Sequence, residues 1–441
     1  MTGGSVKLEK NLNLINGISI LVGVIVGSGI FISPKGVIAE TGSIGLALII
    51  WVLCGVISMF GAISYAELGC MIPKAGGEYE YLMVSFGKLP GFLFIWTFTI
   101  VMIPASFALS ALIFADYTLQ PFYDGCAPPF SARVLLAASS ISNEYNLHSN
   151  ELKTKGRTEN FQNPFENSKL DAGKLALAFY SGMYSYSGWS FLNYVVEEIK
   201  NPNKVLPLSI FIGLGLVIVI YAFSNVAYFT LLTPKEMIES SAVAFTFSEK
   251  ILNEYSWIVS IFVSLSSLGY INGALFSASR TIFGAARNSH MPTVLALINI
   301  KFLTPITSIV FMGLASLVCL VIEDTFVLLK LTMLSEYIFF GGTVAGLLWL
   351  RKRQPETIRP IKVNLFFPVV FLLICIFTII MTLIITPFDS LMCLFVIFIG
   401  VPIYYLFVVV EKPEFIQSKI NSFTILVQKL TYSVLDDSKD D

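Results

Sequence analysis

The sequence Val26-Gly27-Ser28-Gly29-Ile30-Phe31 ends an apolar stretch that begins at Leu14. Two glycines around a serine remove side-chain bulk and lower helix propensity by roughly 1 kcal/mol each. Two interpretations follow from this pattern. The small residues could form a seam where two membrane helices pack closely, or the helix could unwind and leave backbone N–H and C=O groups free to bind a ligand.

A second apolar stretch is interrupted in a similar way. Tyr184-Ser185-Tyr186-Ser187-Gly188-Trp189-Ser190 places small, polar and aromatic residues inside the segment from Leu175 to Val196. Two broken helices in corresponding positions are the best sequence indication of a transporter site. Because helix N-termini favour carboxylates and exposed C-terminal carbonyls favour amines, the pair predicts a site for a zwitterion such as an α-amino acid.

The composition indicates a membrane protein. Of the 441 residues, 55% are hydrophobic and only 13% are charged, whereas soluble proteins have about 25% charged residues. The net charge of −1 leaves no basic surface for nucleic acid. The two histidines lie far apart and no CxxC pair occurs, so we expect no metal and no cofactor. The first apolar run has no small-residue cleavage site, so we expect no removable signal peptide.

Ten segments have about the 20 apolar residues that a helix needs to cross a bilayer. They run from Leu14 to Phe31, Ile44 to Ala66, Leu89 to Phe114, Leu175 to Val196, Leu206 to Leu232, Trp257 to Ala286, Ile306 to Ile322, Leu331 to Leu350, Leu365 to Ile385, and Leu391 to Val410.

The distribution of Lys and Arg predicts the orientation of these spans. With the N-terminus inside, eighteen of the 28 basic residues lie in cytoplasmic parts. Six of the others lie in one long outside loop, which crosses with little regard to charge. We therefore expect a cytoplasmic N-terminus (1–12), a transmembrane domain (13–410) with an extracellular loop (116–174), and a cytoplasmic tail (411–441). The loop is polar and non-periodic from Ser139 to Ser168, which is typical of irregular or disordered chain.

Several motifs together resemble the light chains of heteromeric amino-acid transporters, particularly the L-type and y+L-type members of the amino acid-polyamine-organocation superfamily. The similarity covers nearly the whole chain outside the long loop. The motifs are Gly27 to Val37, Tyr65-Ala66-Glu67-Leu68-Gly69, Tyr184 to Trp189, Glu197 to Pro202, Pro207-Leu208, Asn225 to Tyr228, and Arg359 to Val363.

The resemblance implies an all-α, sodium-solute-symporter-like fold of twelve helices in two inverted repeats, and an obligatory amino-acid exchanger. By matching positions, the backbone around Ile25, Gly27, Ser28 and Gly29 would bind the substrate carboxylate and amine. Tyr184 would be an aromatic lid on the outside. On the opposite side of the substrate, the site would be closed or lined by Ser187, Gly188, Trp189 and Ser190.

Cys126 matches the family's outside cysteine, which forms a disulfide with a single-span glycoprotein heavy chain at the plasma membrane. A lone cysteine in a polar outside loop already suggests intermolecular pairing, although an unpaired thiol is the alternative. The chain has no Asn-x-Ser/Thr sequon, which fits an unglycosylated subunit.

The chain departs from the family in having about ten spans. Residues from Pro128 to Ala138 resemble the start of the family's fourth helix, and similarity resumes at Glu166, so the fourth and fifth helices are missing. A truncated isoform or a flawed gene model that does not transport is therefore also compatible with the sequence. So is a subunit that only pairs through Cys126. A membrane enzyme would need a nucleophile with a nearby base, and no such grouping is evident in the spans.

Two side chains bear on selectivity. Ile103 lies where family members that carry charged substrates often have an ionisable residue, so it favours neutral substrates. Glu336 lies inside a span, where a carboxylate by default marks a ligand or a pathway, so it could receive a cationic side chain. The structural alternative for Glu336 is a salt bridge to Lys330, although six residues is a poor helical spacing for contact. Glu67, Glu197 and Glu198 lie near the cytoplasm and favour a packing or gating role.

Overall fold

A computed structural model describes residues 10–27, 29–122, 129–140, 161–240, 242–322 and 325–435 of the protein. Two residues on which predictions fall, Ser28 and Cys126, lie outside these ranges. The described helices are α1 (Leu14–Ile25), α2 (Gly29–Thr41), α3 (Ile44–Met71), α4 (Glu78–Phe86), α5 (Lys88–Thr97), α6 (Ile103–Leu119), α7 (Phe130–Ser140), α8 (Ala172–Ser185), α9 (Pro202–Leu231), α10 (Pro234–Glu239), α11 (Val243–Leu252), α12 (Trp257–Arg287), α13 (Ile306–Cys319), α14 (Thr325–Arg353), α15 (Phe366–Ile385), α16 (Pro387–Tyr404) and α17 (Glu414–Thr431).

Within the described residues, seven helical stretches are long and apolar enough to cross a membrane, and the bent pair of α1 and α2 makes an eighth. The seven are Ile44–Met71, Lys88–Phe122, Pro202–Leu231, Trp257–Arg287, Leu328–Arg353, Phe366–Ile385 and Pro387–Val409. The protein is thus an all-α polytopic membrane protein, as the sequence predicted.

Two of the ten predicted spans are shorter than expected. The fourth ends as an α-helix at Ser185, and its remainder forms an irregular turn and a 3₁₀ segment, Phe191–Glu198. The seventh is α13, an apolar helix of 14 residues, which extends about 21 Å at 1.5 Å per residue. The predicted extracellular loop also differs, because α6 continues to Leu119 and α7 lies within it.

Burial separates a central helix from peripheral ones. In Lys88–Phe122, which contains α5 and α6, 83% of the most apolar window is buried, against 22% in Phe366–Ile385 and in Pro387–Val409. The last two therefore expose most of their apolar surface on the outside of the bundle, where it can contact lipid rather than water. A π-helical turn, Phe98–Met102, joins α5 to α6.

Local signals fix several boundaries. The side chain of Asn13 accepts a hydrogen bond from the backbone N–H of Asn16 at the start of α1, and Asp171 accepts one from Lys174 at the start of α8. Such caps satisfy N–H groups that have no partner inside the helix. After α12, strand β1 (Leu297–Asn299) pairs antiparallel with β2 (Ser433–Leu435), which ties the C-terminal tail to the loop before α13.

Candidate functional site

The break in the first span is the first element of the site. Helix α1 ends at Ile25 and α2 begins at Gly29, with an angle of 47° between them. The carbonyl oxygen of Ile25 accepts a hydrogen bond from the Tyr221 hydroxyl at 2.6 Å. The carbonyl oxygen of Val26 accepts one from the Ser266 hydroxyl at 2.7 Å. Hydroxyl groups from α9 and α12 therefore hold two carbonyls at the end of α1.

Gly27 and Gly29 are required by close packing at this break. A Cβ atom on Gly27 would lie 2.7 Å from the Cβ of Tyr270, and one on Gly29 would lie 2.6 Å from the backbone of Ser185. Both distances are shorter than real Cβ contacts. The small residues thus let neighbouring helices approach closely at the point where the first span is broken. Ligand binding by the freed backbone groups stays a prediction.

The second break follows α8. Gly188 has a φ of +96°, a conformation that glycine adopts without steric cost. A Cβ on Gly188 would lie 2.6 Å from Cγ1 of Val24 on α1. The chain then enters the 3₁₀ segment Phe191–Glu198. The breaks in the two spans consequently lie against each other.

A small cavity forms where the two breaks meet. Five of the predicted site residues line it: Ile25, Gly27, Gly29, Tyr184 and Ser187. Three further lining residues were not predicted: Val24, Ser185 and Tyr270. Their signals in the sequence are weak, because Val24 is an ordinary apolar helix residue and Tyr270 lies in the unbroken helix α12.

Glu336 is buried beside this cavity. Its side chain on α14 is 6% exposed, and the Ser187 hydroxyl donates to its two carboxylate oxygens at 3.1 and 2.9 Å. Lys330 instead pairs with Asp389 at a distance of 3.2 Å. The structural alternative from the sequence, a salt bridge between Glu336 and Lys330, is therefore wrong.

Gly188, Trp189 and Ser190 lie behind the cavity wall. Trp189 is buried in an aromatic cluster, with its ring 4.8 Å from that of Tyr65 and 4.8 Å from that of Phe340. The hydroxyl of Ser190 lies 3.5 Å from that of Tyr194. Neither residue lines the cavity in this conformation, so any contact with a ligand would require the segment after α8 to move.

Ion pairs hold the ends of several helices below the site. Glu198 accepts from Arg280 at 2.8 Å and Glu197 accepts from Arg287 at 3.0 Å. Glu67 accepts from Arg351, and its pairing with Arg359 measures 3.7 Å. These carboxylates act as anchors between helices.

The described residues contain no group of three or more His, Cys, Asp or Glu side chains that could hold a metal ion. Ile103, the predicted neutral selectivity residue, is buried at the start of α6. It is not among the residues that line the cavity.

A helical bundle of this kind, with two broken segments meeting at a small cavity, defines a membrane permease. The family model described as amino acid permease matches residues 12–138 and 134–427. The chain belongs to the amino acid permease family. This confirms the transporter class and not an enzyme class, as predicted.

Curated relatives agree with this assignment. The chain is 42% identical to the large neutral amino acids transporter small subunit 2 of Mus musculus, over 97% of this chain and 87% of the relative. It is 41% identical to the b(0,+)-type amino acid transporter 1 of Mus musculus, over 91% and 88%. It is 38% identical to the cystine/glutamate transporter of Homo sapiens, over 97% and 89%. The predicted resemblance to transporter light chains is confirmed.

Proposed function

We propose that the protein is an amino-acid exchanger that carries neutral and cationic L-amino acids. The main support for this proposal is that two broken segments meet at a cavity beside the buried carboxylate of Glu336. The relatives are named as a large neutral amino acids transporter, a b(0,+)-type amino acid transporter, and a cystine/glutamate transporter. Exchange, rather than one-way uptake, rests on the resemblance to the light chains.

Recognition of the α-amino acid begins at the first break. The first-turn N–H groups of α2, from Gly29 onward, have no intrahelical partner and bind the substrate carboxylate. The predicted role of Ser28 in the same step falls on a residue outside the described part of the chain. The Val26 carbonyl accepts the Ser266 hydroxyl, and since a carbonyl oxygen has two lone pairs, it can accept the substrate ammonium as well. Ile25 and Gly27 position these groups.

The second break closes the other side of the substrate. Tyr184 is the outer lid, and Ser187 forms the opposite wall, with Gly188 behind it allowing the turn that closes this side. Ser190 and Trp189 reach the substrate only after the segment behind α8 has moved. Such a movement also provides alternating access, because the cavity in the described conformation is too small for an amino acid and must open during transport.

Glu336 sets the preference among side chains. In the described conformation, its oxygens accept the Ser187 hydroxyl. A lysine or arginine side chain offers a stronger, charge-assisted hydrogen bond. Neutral substrates leave the bond to Ser187 intact, so the site accepts both classes.

The protein functions as the light subunit of a heterodimer at the plasma membrane, with both termini in the cytoplasm. One relative is named a small subunit, which supports a partner for this chain. Cys126, in the predicted extracellular loop, forms the interchain disulfide with a single-span glycoprotein. This residue lies outside the described part of the chain.

The chain lacks a segment corresponding to the family's fourth and fifth helices. Two facts support this: the family model matches in two pieces that meet at residues 134–138, and the alignment to the first relative spans 460 residues, more than the 441 of this chain. The alternative function is a non-transporting isoform or an interaction-only subunit. Reading the transcript across the codons for Ser131 to Glu166 would show whether exons were skipped.

Uptake into reconstituted vesicles separates these functions. The heterodimer is placed in vesicles with or without internal leucine, and entry of labelled leucine and lysine is measured. Internal amino acid should accelerate uptake of both. Uptake that is the same with and without internal amino acid would rule out exchange. Absence of uptake by correctly inserted protein would favour the interaction-only subunit.

The partner is tested on a non-reducing gel. Wild type should migrate with the added mass of a heavy chain, and Cys126→Ser should migrate as the light chain alone. Cys319→Ser is a suitable control, because Cys319 is partly buried on α13. A mass shift that persists in Cys126→Ser would exclude this cysteine as the link.

A further inference from the structure

Glu78 is a buried carboxylate outside the cavity and outside the candidate spans. It is the first residue of α4, which lies between the spans Ile44–Met71 and Lys88–Phe122. Its side chain is 0% exposed. The preceding Gly77 has a φ of +52° and packs against the ring of Tyr194. This arrangement turns the start of α4 into the protein interior.

Three hydroxyl groups lie close enough to the Glu78 carboxylate to favour its ionised form, but none has the geometry of a hydrogen bond to it. The hydroxyls are those of Tyr65, Ser190 and Tyr194. Among the described residues, neither carboxylate oxygen has a hydrogen-bond partner, and the Tyr65 hydroxyl has none either. An ionised carboxylate buried in this way is costly, whereas the neutral acid loses much less on leaving water. Burial accordingly raises the pKa of Glu78 to about 7, although the hydroxyls and its own backbone N–H oppose the rise.

Glu78 interacts electrostatically with titratable groups on four described elements. They are Tyr65 on α3, Tyr81 on α4, Tyr194 in the 3₁₀ segment and Glu336 on α14. None of these described groups is a cation, and Glu336 is an acid like Glu78 itself. By contrast, Glu80 on the same helix accepts a hydrogen bond from Asn288 at 2.8 Å. The surroundings of Glu78 thus favour its neutral form.

The segment that carries Ser190 and Tyr194 also reaches the substrate cavity. It begins beside Ser187, whose hydroxyl bonds to Glu336, and its Tyr194 carbonyl accepts the backbone N–H of Gly76, close to Glu78, at 3.2 Å. A movement of this segment during transport would therefore shift the hydroxyls around Glu78 and change access of water to it.

We propose that Glu78 is a proton-binding site whose occupancy is coupled to the position of residues 188–198. In the described conformation Glu78 holds a proton taken from the aqueous phase. When the segment moves and water reaches the carboxylate, the proton returns to water and Glu78 ionises. The proposal rests on the burial and the neighbours of Glu78, and it does not depend on which substrate the protein transports.

Thermal unfolding of the purified heterodimer at several pH values tests the site without transport. Because the pKa of Glu78 is raised in the folded state, the folded protein binds this proton more tightly than the unfolded chain. Its contribution to stability is full in acid and is lost as pH rises through about 7. Glu78→Gln imitates the protonated acid, so wild type and variant should melt alike at about pH 4, below the unfolded pKa of about 4.5, and the variant should melt higher at about pH 8.5.

The matched control is Glu239→Gln, an exposed carboxylate on α10, whose melting difference from wild type should stay constant with pH. The same difference in melting temperature between wild type and Glu78→Gln at both pH values would overturn the proposal.

If Glu78→Gln does not assemble, Tyr65→Phe tests the site instead. Removing a hydroxyl that favours the ionised form should make the loss of melting temperature from acid to alkaline pH larger than in wild type, and an unchanged loss would overturn the site. Absence of amino-acid exchange in vesicles at every pH would contradict the proposed exchanger function, but it would not affect this test of Glu78.

Discussion

Two buried carboxylates, Glu67 at the end of α3 and Glu336 in α14, have contrasting surroundings. Glu67 is 0% exposed, and it accepts from Arg351 and from the backbone N–H of Val363, with Arg359 alongside. Glu336 is 6% exposed, and the bond from the Ser187 hydroxyl is the one the structure gives it. Within the described part of the chain, the first carboxylate has several charged and backbone partners, and the second has one neutral partner.

This difference indicates different roles. A buried ion pair with complete hydrogen bonding fixes its neighbours, and breaking it leaves an uncompensated charge. A buried carboxylate with one hydroxyl partner retains unused acceptor capacity, which a cationic ligand can fill. We infer that the region around Glu67 is a structural anchor, whereas the region around Glu336 is available for binding.

The largest expected effect is that of Glu67→Gln. The variant keeps the side-chain size but leaves Arg351 and Arg359, which are 9% and 6% exposed at their side chains, without a counter-charge. Loss of one partner from a buried pair costs about 3–5 kcal/mol. We expect a strong fall in the yield and melting temperature of the folded protein.

The control for Glu67→Gln is Glu356→Gln, which changes an exposed carboxylate in the loop after α14. Gel filtration in detergent and thermal unfolding would compare the two. A Glu67→Gln protein as stable as the control would show that the anchor contributes little, and the contrast with Glu336 would then have no energetic basis.

Gly27→Ala should have the next largest effect, on the binding region itself. The new Cβ would meet the side chain of Tyr270 at 2.7 Å, and overpacking of this kind costs about 1–3 kcal/mol. Gly23→Ala, on α1 just before the break, is the matched control, because nothing lies within 4 Å of its Cβ. Vesicle uptake should fall in Gly27→Ala and persist in Gly23→Ala. Equal uptake by both variants would contradict a close-packed break.

The sequence could predict both helix breaks because each carries a local signal. Gly27 and Gly29 lower helix propensity, and Gly188 permits the positive φ that follows α8. The same glycine explains why the predicted fourth span was too long: an apolar run continues through the turn, but a helix does not. Hydropathy measures apolar length and contains no information about where the backbone leaves the helix.

The sequence could not predict which side chains meet. Ser187 and Glu336 are 149 residues apart, and Lys330 pairs with Asp389 across 59 residues, not with a neighbour on its own helix. Tyr270 reaches the cavity from an unbroken helix. These contacts depend on the packing of helices, which no local pattern encodes. Ser28 and Cys126 remain predictions, since they lie outside the described residues.

A smaller and more selective effect is expected from Glu336→Gln. Replacing the carboxylate with an amide keeps a partner for Ser187 but removes the negative charge, so the variant should fold normally. Loss of one charge-assisted bond is worth about 1.5 kcal/mol or somewhat more, which corresponds to roughly tenfold weaker lysine or arginine uptake.

Leucine uptake by the same vesicles is the internal comparison for Glu336→Gln, and it should change much less than lysine uptake. Asp389→Asn provides a matched variant, because it removes a carboxylate that pairs with Lys330 away from the cavity. Equal loss of leucine and lysine uptake in Glu336→Gln would remove the selectivity role from this residue.

The smallest effect is expected at Glu236, a partly exposed carboxylate that extends the comparison to the surface. Glu236 accepts from Lys250 at 2.5 Å and from the backbone N–H of Thr233 at 2.7 Å, and these bonds lower its pKa to about 2. A depressed pKa adds stability above the unfolded value of about 4.5, and this is lost as pH falls towards 2. Because the side chain is 38% exposed, solvent screens the pair, and Glu236→Gln should cost less than about 1 kcal/mol.

Thermal unfolding at low and high salt would check the prediction for Glu236→Gln, since screening should reduce the difference in melting temperature from wild type. A salt-independent loss as large as that of Glu67→Gln would mean that partner number, and not burial, determines how strongly a carboxylate anchors this fold.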